Sequence, residues 1–279
     1  MIFINYIYYS CILLLFHINY IWTYECLLCA TKLFNYSITI DDLPTPTEDD
    51  CNIIRGNHGC HIHIDWLHDG TSEVHYEIGP ALPDNKILSG IERQVIINNG
   101  KYSTRKLVSY SCTSTKSACN TIDRLKHAIN SITFPTNEQI EQFDTLIRPT
   151  KSFNASLCAQ VSNTIHCPKF NSTDCQQCIS IVQYSESTNT CRTCTNEEIQ
   201  RNSFLYSTTF DIDSKNQSEE IRIGCRNGYM CNLLVNTERI KQILVTKFNF
   251  TTFNTSIATT TKSTNILLCI IICIQLLLK

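Results

Sequence analysis

Two stretches carry the same chemical pattern: Tyr110 to Asn120, YSCTSTKSACN, and Ile221 to Asn232, IRIGCRNGYMCN. Each has a strand-like approach, a cysteine, a short polar loop, a second cysteine and then Asn. Thiols this close can oxidise to small rings, Cys112 with Cys119 and Cys225 with Cys231, provided that the compartment is oxidising. A second cysteine pattern is Cys175-x2-Cys178 and Cys191-x2-Cys194, with twelve residues between the pairs. In a cytosolic chain that spacing would be a zinc ribbon, four thiolates around one ion. Four further cysteines in the same half and the secretory features described below favour disulfides instead. No thioredoxin-like strand-helix-strand pattern surrounds these pairs, which argues against redox catalysis.

Imidazole chemistry is the third candidate. In Cys60 to Trp66, residues Cys60, Ile62, Ile64 and Trp66 share one strand face and His61, His63 and Asp65 the other. A turn at Asp69, Gly70 and Thr71 leads to Val74, Tyr76 and Ile78, alternating with Glu73, His75 and Glu77. A three-residue loop there predicts Trp66 opposite Val74, Ile64 opposite Tyr76 and Ile62 opposite Ile78. His63 then faces Glu77 and Asp65 faces His75. His61, His63 and His75 are the candidate ligands for a metal, zinc or copper. The competing reading is a solvent-facing stripe of complementary cross-strand pairs, which satisfies each group without an ion and leaves no cofactor to expect.

The ends of the chain speak to compartment. An apolar run from Cys11 to Phe16, continued with interruptions to Trp22, reads as a secretory signal over residues 1–23, with an uncleaved anchor as the alternative. Cleavage near Thr23 keeps Cys26 and Cys29, and cleavage at Ala30 removes them. Residues 266–279 form a hydrophobic tail whose apolar run, as a helix, covers only about 20 Å, short of a bilayer core. The tail follows a polar spacer and the small residues Asn254, Thr255 and Ser256, within a Thr/Asn-rich stretch at 249–265 that reads as a stalk. That order predicts a glycosylphosphatidylinositol signal with lipid attachment at Asn254, or else a short tail anchor. Sequons at Asn35, Asn154, Asn171, Asn216 and Asn249 are candidate glycosylation sites, and Asn254 begins one more. The expected location is the extracellular face of the plasma membrane, reached through the secretory pathway. A net charge of −2 and a pI near 6.4 leave no basic excess for nucleic acid.

These groups need elements to hold them. With Cys11 in the signal and Cys269 and Cys273 in the tail, fourteen of the 17 cysteines remain. Cys26, Cys29, Cys51, Cys60, Cys112 and Cys119 fall in a first module, 24–134. Cys158, Cys167, Cys175, Cys178, Cys191, Cys194, Cys225 and Cys231 fall in a second, 158–248. Both sets are even, as two separately stapled modules require. Modules of this size have marginal cores, and each bridge contributes roughly 2–4 kcal/mol.

The expected fold is mainly β, small and disulfide-rich, made of hairpins with short terminal helices. Asn99-Gly100 predicts a two-residue turn between Ile91–Asn98 and Lys101–Cys112, pairing Ile97 with Tyr102 and Val95 with Thr104. Phe204–Ile212 and Glu220–Cys225 predict another hairpin. Ile122, Leu125, Ile129 and Ile132 recur at helical spacing, and residues 135–157 read as a linker carrying a short helix at Glu138–Ile147. After each Cys-Asn step comes a similar run, Asp123-Arg124-Leu125-Lys126 and Glu238-Arg239-Ile240-Lys241, which suggests a duplicated unit.

Cys26-x2-Cys29 near the mature N-terminus, several hairpins, a terminal Cys-loop-Cys-Asn and a lipid-anchor signal together resemble the three-finger family of lymphocyte antigen six and the urokinase receptor. The resemblance implies hairpin fingers on a disulfide-knotted palm, with Asn120 and Asn232 hydrogen-bonding into that palm. It implies no enzymatic activity, and finger loops presented to a protein ligand or receptor. Cys112 and Cys225 each stand alone where the family usually carries two adjacent cysteines. Hairpin tips such as Asp69 to Thr71 and Asn98 to Gly100 are the expected contacts. The alternatives are a disulfide-rich surface-coat glycoprotein or a secreted metal-binding or hydrolytic protein. For hydrolysis, the chain lacks a G-x-S-x-G elbow and an H-E-x-x-H motif.

Overall fold

The computed structural model describes residues 24–46, 50–80, 85–113, 117–150, 153–164, 167, 175–196, 200–226 and 230–255. The signal segment 1–23, the sequon at Asn171 and the tail 266–279 lie outside them. The fold is mainly β and disulfide-rich, as the alternating runs predict.

The first half contains β1 (Tyr24–Cys29), β2 (Lys32–Phe34), β3 (Cys51–Gly56), β4 (His58–Trp66), β5 (Ser72–Pro80), β6 (Lys86–Ile96), β7 (Tyr102–Cys112) and, after a helix at Ile122–Ser131, β8 (Ile132–Thr133). The second contains β9 (Val161–Ser162), β10 (Gln177–Tyr184), β11 (Thr188–Thr195), β12 (Arg201–Asp211), β13 (Gln217–Cys225), a helix at Leu234–Ile243, β14 (Lys247–Phe248) and a helix at Phe250–Thr255. β1 and β3 form a two-stranded antiparallel sheet of their own. Ten strands join in one sheet, in the order β2-β5-β4-β7-β6-β12-β13-β10-β11-β9.

That order is a palindrome of the duplicated unit. Cys60 on β4 pairs with Cys112 on β7, as Cys178 on β10 pairs with Cys225 on β13. The bridge Cys26–Cys60 corresponds to Cys158–Cys178, and the ring Cys112–Cys119 to Cys225–Cys231. Cys29–Cys51, Cys167–Cys191 and Cys175–Cys194 complete the set, so no bridge among the described residues crosses between halves. The zinc-ribbon spacing is thus used by disulfides, each ribbon pair contributing to separate bridges.

Asn120 follows the first ring and is fully buried. Its Oδ1 accepts the Leu27 N–H at 2.8 Å, and its Nδ2 donates to the Leu27 and His61 carbonyls at 2.8 and 3.2 Å. Asn232 does the same in the second half, accepting from Ala159 N–H at 2.9 Å and donating to the Ala159 and Ile179 carbonyls at 2.9 and 3.2 Å. A side-chain amide is suited to this work because it offers an acceptor and two donors at one point.

The halves are stapled separately but are not independent. β6 and β12 pair antiparallel from Lys86↔Asp211 to Ile96↔Arg201 and make the sheet continuous. The segment expected as a linker at 135–157 is structured. Its helices Asn137–Glu141 and Asp144–Ile147 place Ile140, Phe143 and Ile147 in the second-half core. Reciprocally, Phe253 from the C-terminal helix enters the first-half core. β8 and β14 pair where these two extensions cross. The stretch from 249 is therefore packed through Thr255 rather than extended as a stalk, because Phe248, Phe250 and Phe253 have an apolar surface to cover.

Two hairpin registers differ from expectation by two residues. Ile64 pairs with Val74, Ile62 with Tyr76 and Trp66 with Ser72. The loop has three residues as predicted, but it is His68-Asp69-Gly70, one position earlier, since Leu67 N–H donates to the Thr71 carbonyl. Trp66 turns toward the loop before Asp41, where its Nε1 donates to the Ile38 carbonyl at 2.9 Å, and so does not need an apolar cross-strand partner. In the second hairpin Val95 pairs with Tyr102, around a four-residue loop from Ile97 to Gly100. Ile97 is drawn out of the hairpin because its N–H donates to Gln200 across the seam with the second half.

Candidate functional site

The sheet packs one face on the cores and leaves the other half-exposed. On that outer face the true register puts His63 directly opposite His75, and His61 opposite Glu77. The two imidazoles stack, with ring centroids 4.6 Å apart and planes 21° from parallel. Donor atoms of His63, His75 and Glu77 all lie within 4.8 Å of one another. The expected pairs His63 with Glu77 and Asp65 with His75 are replaced, because the earlier loop moves β5 by two residues along β4.

His75 is held at both ring nitrogens: Nδ1 lies 3.1 Å from Thr31 Oγ1, and Nε2 lies 3.1 Å from Glu73 Oε2. His63 is different. Neither of its ring nitrogens has a hydrogen-bond partner among the described residues. Burial lowers the His63 pKa first and the neighbouring His75 second, so the ring favours its neutral form.

His61 stands apart from this trio. Its Nδ1 lies 2.7 Å from Ser111 Oγ, and its ring lies over Gly59 and Gly79. A Cβ at Gly79 would fall 2.6 Å from His61 Nε2, so glycine here lets the ring keep this position, and a larger residue would have to move it. Burial lowers the His61 pKa, against the pull of Glu77. Of the histidines expected as ligands, the structure brings His63 and His75 together and places Glu77, not His61, beside them. The alternation that put Glu77 on this face was visible in the sequence. Its neighbours depend on the β4–β5 register, which the loop position sets.

Next to the histidines runs a row of charge. Asp65 is buried and receives two hydrogen bonds from Arg105, whose pKa rises chiefly through that contact. Glu92 lies 3.9 Å from the same guanidinium and 3.4 Å from His68 Nε2. The hydrogen bond from His68 is the main cause holding the Glu92 carboxyl below the usual carboxylate range.

The hairpin tips are the second candidate surface. Asp69 Oδ1 accepts from the Thr71 N–H and hydroxyl, and Asn99 Oδ1 accepts from the Lys101 N–H. Gly70 and Gly100 complete these turns with φ of 87° and 66°, a left-handed geometry that favours glycine. Because β4 and β7 are antiparallel neighbours, both tips project from the same end of the sheet. An open groove of about 660 Å³ lies at that end, lined in part by Ile38, Trp66, Gly70, Lys106 and Phe134. The reversal at β6–β12 sends the second-half tips, Ser185–Ser187 and Ile212–Lys215, to the opposite end.

The sequons at Asn35, Asn154, Asn216, Asn249 and Asn254 are exposed. Among the described residues, no helix is long and apolar enough to cross a membrane.

The fold and these surfaces define a class: a disulfide-stapled, mainly β protein built from two repeats that share one sheet and exchange their C-terminal extensions. Comparisons with protein-family models, curated proteins and solved structures found no match to the chain.

Proposed function

We propose that the chain is an extracellular, lipid-anchored cell-surface protein that presents the first-half hairpin tips, and the groove beside the Asp69–Thr71 tip, to a protein ligand or receptor. The observation that carries this reading is the placement of Asp69–Thr71 and Asn98–Gly100 at one end of a continuous sheet, with an open groove of apolar and charged lining beside the first of these tips. Seven disulfides among the described residues support an oxidising compartment. Cys26 and Cys29 are bonded to Cys60 and Cys51, so signal cleavage upstream of Tyr24 fits the framework and cleavage at Ala30 does not. The exposed sequons fit the same location. Binding without catalysis, in the manner of the three-finger proteins that the cysteine pattern resembles, is the corresponding activity.

The test is to express the full chain and follow it on intact cells. Surface labelling together with release by a phosphatidylinositol-specific phospholipase is the expected result. Proximity labelling from the surface-held protein should then mark a partner that is lost when Asp69 and Asn99 are changed to alanine and kept when Ser214 is. Retention of the chain inside the cell with free thiols would refute the location. Labelling indifferent to both tips would refute the binding end and favour a structural coat.

A further inference from the structure

The duplication provides an internal control for the outer-face histidines. With Cys60 aligned to Cys178, His61 and His63 correspond to Ile179 and Ile181, and the β4–β5 and β10–β11 registers make His75 and Glu77 correspond to Cys191 and Thr193. The second half builds the same strand pairs without a single imidazole at these positions. The fold therefore does not require His63, His75 and Glu77, although the first half brings all three to one point.

We propose that His63, His75 and Glu77 form a binding site for one divalent transition-metal ion, copper(II) or zinc(II). Their donor atoms lie within 4.8 Å of one another. Metal–ligand distances of about 2.0–2.2 Å require donors roughly 3–3.5 Å apart, a closure within reach of side-chain rotation. Glu77 is exposed and free to turn, whereas the two rings are already side by side.

The environment agrees with this assignment. His63 has no competing hydrogen bond among the described residues, so an ion need displace no protein group from it. His75 has Thr31 at one nitrogen and Glu73 at the other. Whichever nitrogen takes the metal, the other keeps a partner that orients the ring, as metal-bound histidines need. Two imidazoles and one carboxylate suit copper and zinc and do not suit calcium or magnesium, which prefer oxygen cages. Three protein donors leave a position for water or for a group from a partner.

Calorimetric titration of the purified, oxidised full chain with copper(II) or zinc(II), in excess calcium and magnesium, tests the site. Saturation at one ion per chain is expected, with copper bound more tightly. His63→Ile installs the residue that the second half carries and preserves strand preference. It should weaken binding at least about tenfold, as should Glu77→Gln, which keeps the shape and removes the charge. His127→Ala, on the helix Ile122–Ser131, should change nothing. Circular dichroism of each variant establishes that the sheet is intact. No saturable binding, undiminished binding in both His63→Ile and Glu77→Gln, or full competition by calcium would each overturn the proposal.

Discussion

Gly90 and Ser207 pair directly across the seam between β6 and β12, and they are the same position of the repeat. Each also pairs, on its other side, with the residue five positions before the first ring cysteine: Gly90 with Leu107, and Ser207 with Glu220. A two-fold pseudo-axis therefore passes between them. The two halves meet as an antiparallel pair of like units, in the way that two identical subunits would join edge to edge.

The exchanged extensions should make unfolding a single event. Phe253 is buried in the first core and Ile140 in the second, although each belongs to the chain following the opposite unit. Phe253→Ala should cost about 3–5 kcal/mol and Ile140→Ala about 2–5 kcal/mol. In urea, far-UV dichroism and the fluorescence of Trp66 should trace one shared transition for the wild type and for both variants. Two resolved transitions would mean that the halves are separable.

The two buried asparagines should be irreplaceable to similar degrees. Asn120→Ala leaves Leu27 N–H and the Leu27 and His61 carbonyls without that partner, and Asn232→Ala does the same to Ala159 and Ile179. Each unsatisfied buried group costs about 1–3 kcal/mol. Asn120→Asp keeps the acceptor and loses both donors, so its melting temperature should fall below that of the wild type. An unchanged melting temperature in Asn120→Ala would contradict the anchoring role.

Gly79 and His61 should be energetically coupled. Gly79→Ala pushes a Cβ into the His61 ring and should destabilise by about 1–3 kcal/mol. In a His61→Ala background the same change should cost much less, since the ring that it meets is gone. A double-mutant cycle measures this, and simple additivity would show that the contact does not decide the residue at 79.

Acid should weaken the protein partly through Glu92. Its folded pKa is lowered, chiefly by the hydrogen bond from His68, so on acidification the unfolded chain takes up the proton first. This contribution is complete above the ordinary glutamate value of about 4.3 and is lost as pH falls through the lower folded value. Glu92→Gln should flatten the fall of stability over that window in urea titrations at stepped pH. An unchanged slope would assign the acid sensitivity to other carboxylates.

Local features were legible in the sequence, and long-range ones were not. The rings at Cys112–Cys119 and Cys225–Cys231 and the helix at Ile122–Ser131 depend on neighbours in the chain, and short spacing reveals those. The loops at His68–Gly70 and Ile97–Gly100 depend on what Trp66 and Ile97 find elsewhere: the Ile38 carbonyl and the Gln200 carbonyl. The sequence around them is silent on those partners. The β10–β11 hairpin is masked in the sequence by its cysteine spacing, although Val182 and Tyr184 alternate with Ile181 and Gln183 as a half-buried strand should. The seam between β6 and β12 joins residues more than a hundred positions apart, and no local pattern predicts it.

The packing of the last described helix has a bearing on orientation. Phe253 lies against Tyr110, near the ring end of β7, with ring centroids 5.8 Å apart. Tyr102, where β7 leaves its hairpin tip, is eight residues away along an extended strand, about 26 Å. Any tether attached beyond Thr255 would start from the pole opposite Asn98–Gly100. A molecule held that way stands with its first-repeat loops uppermost and its second-repeat loops toward the surface that carries it.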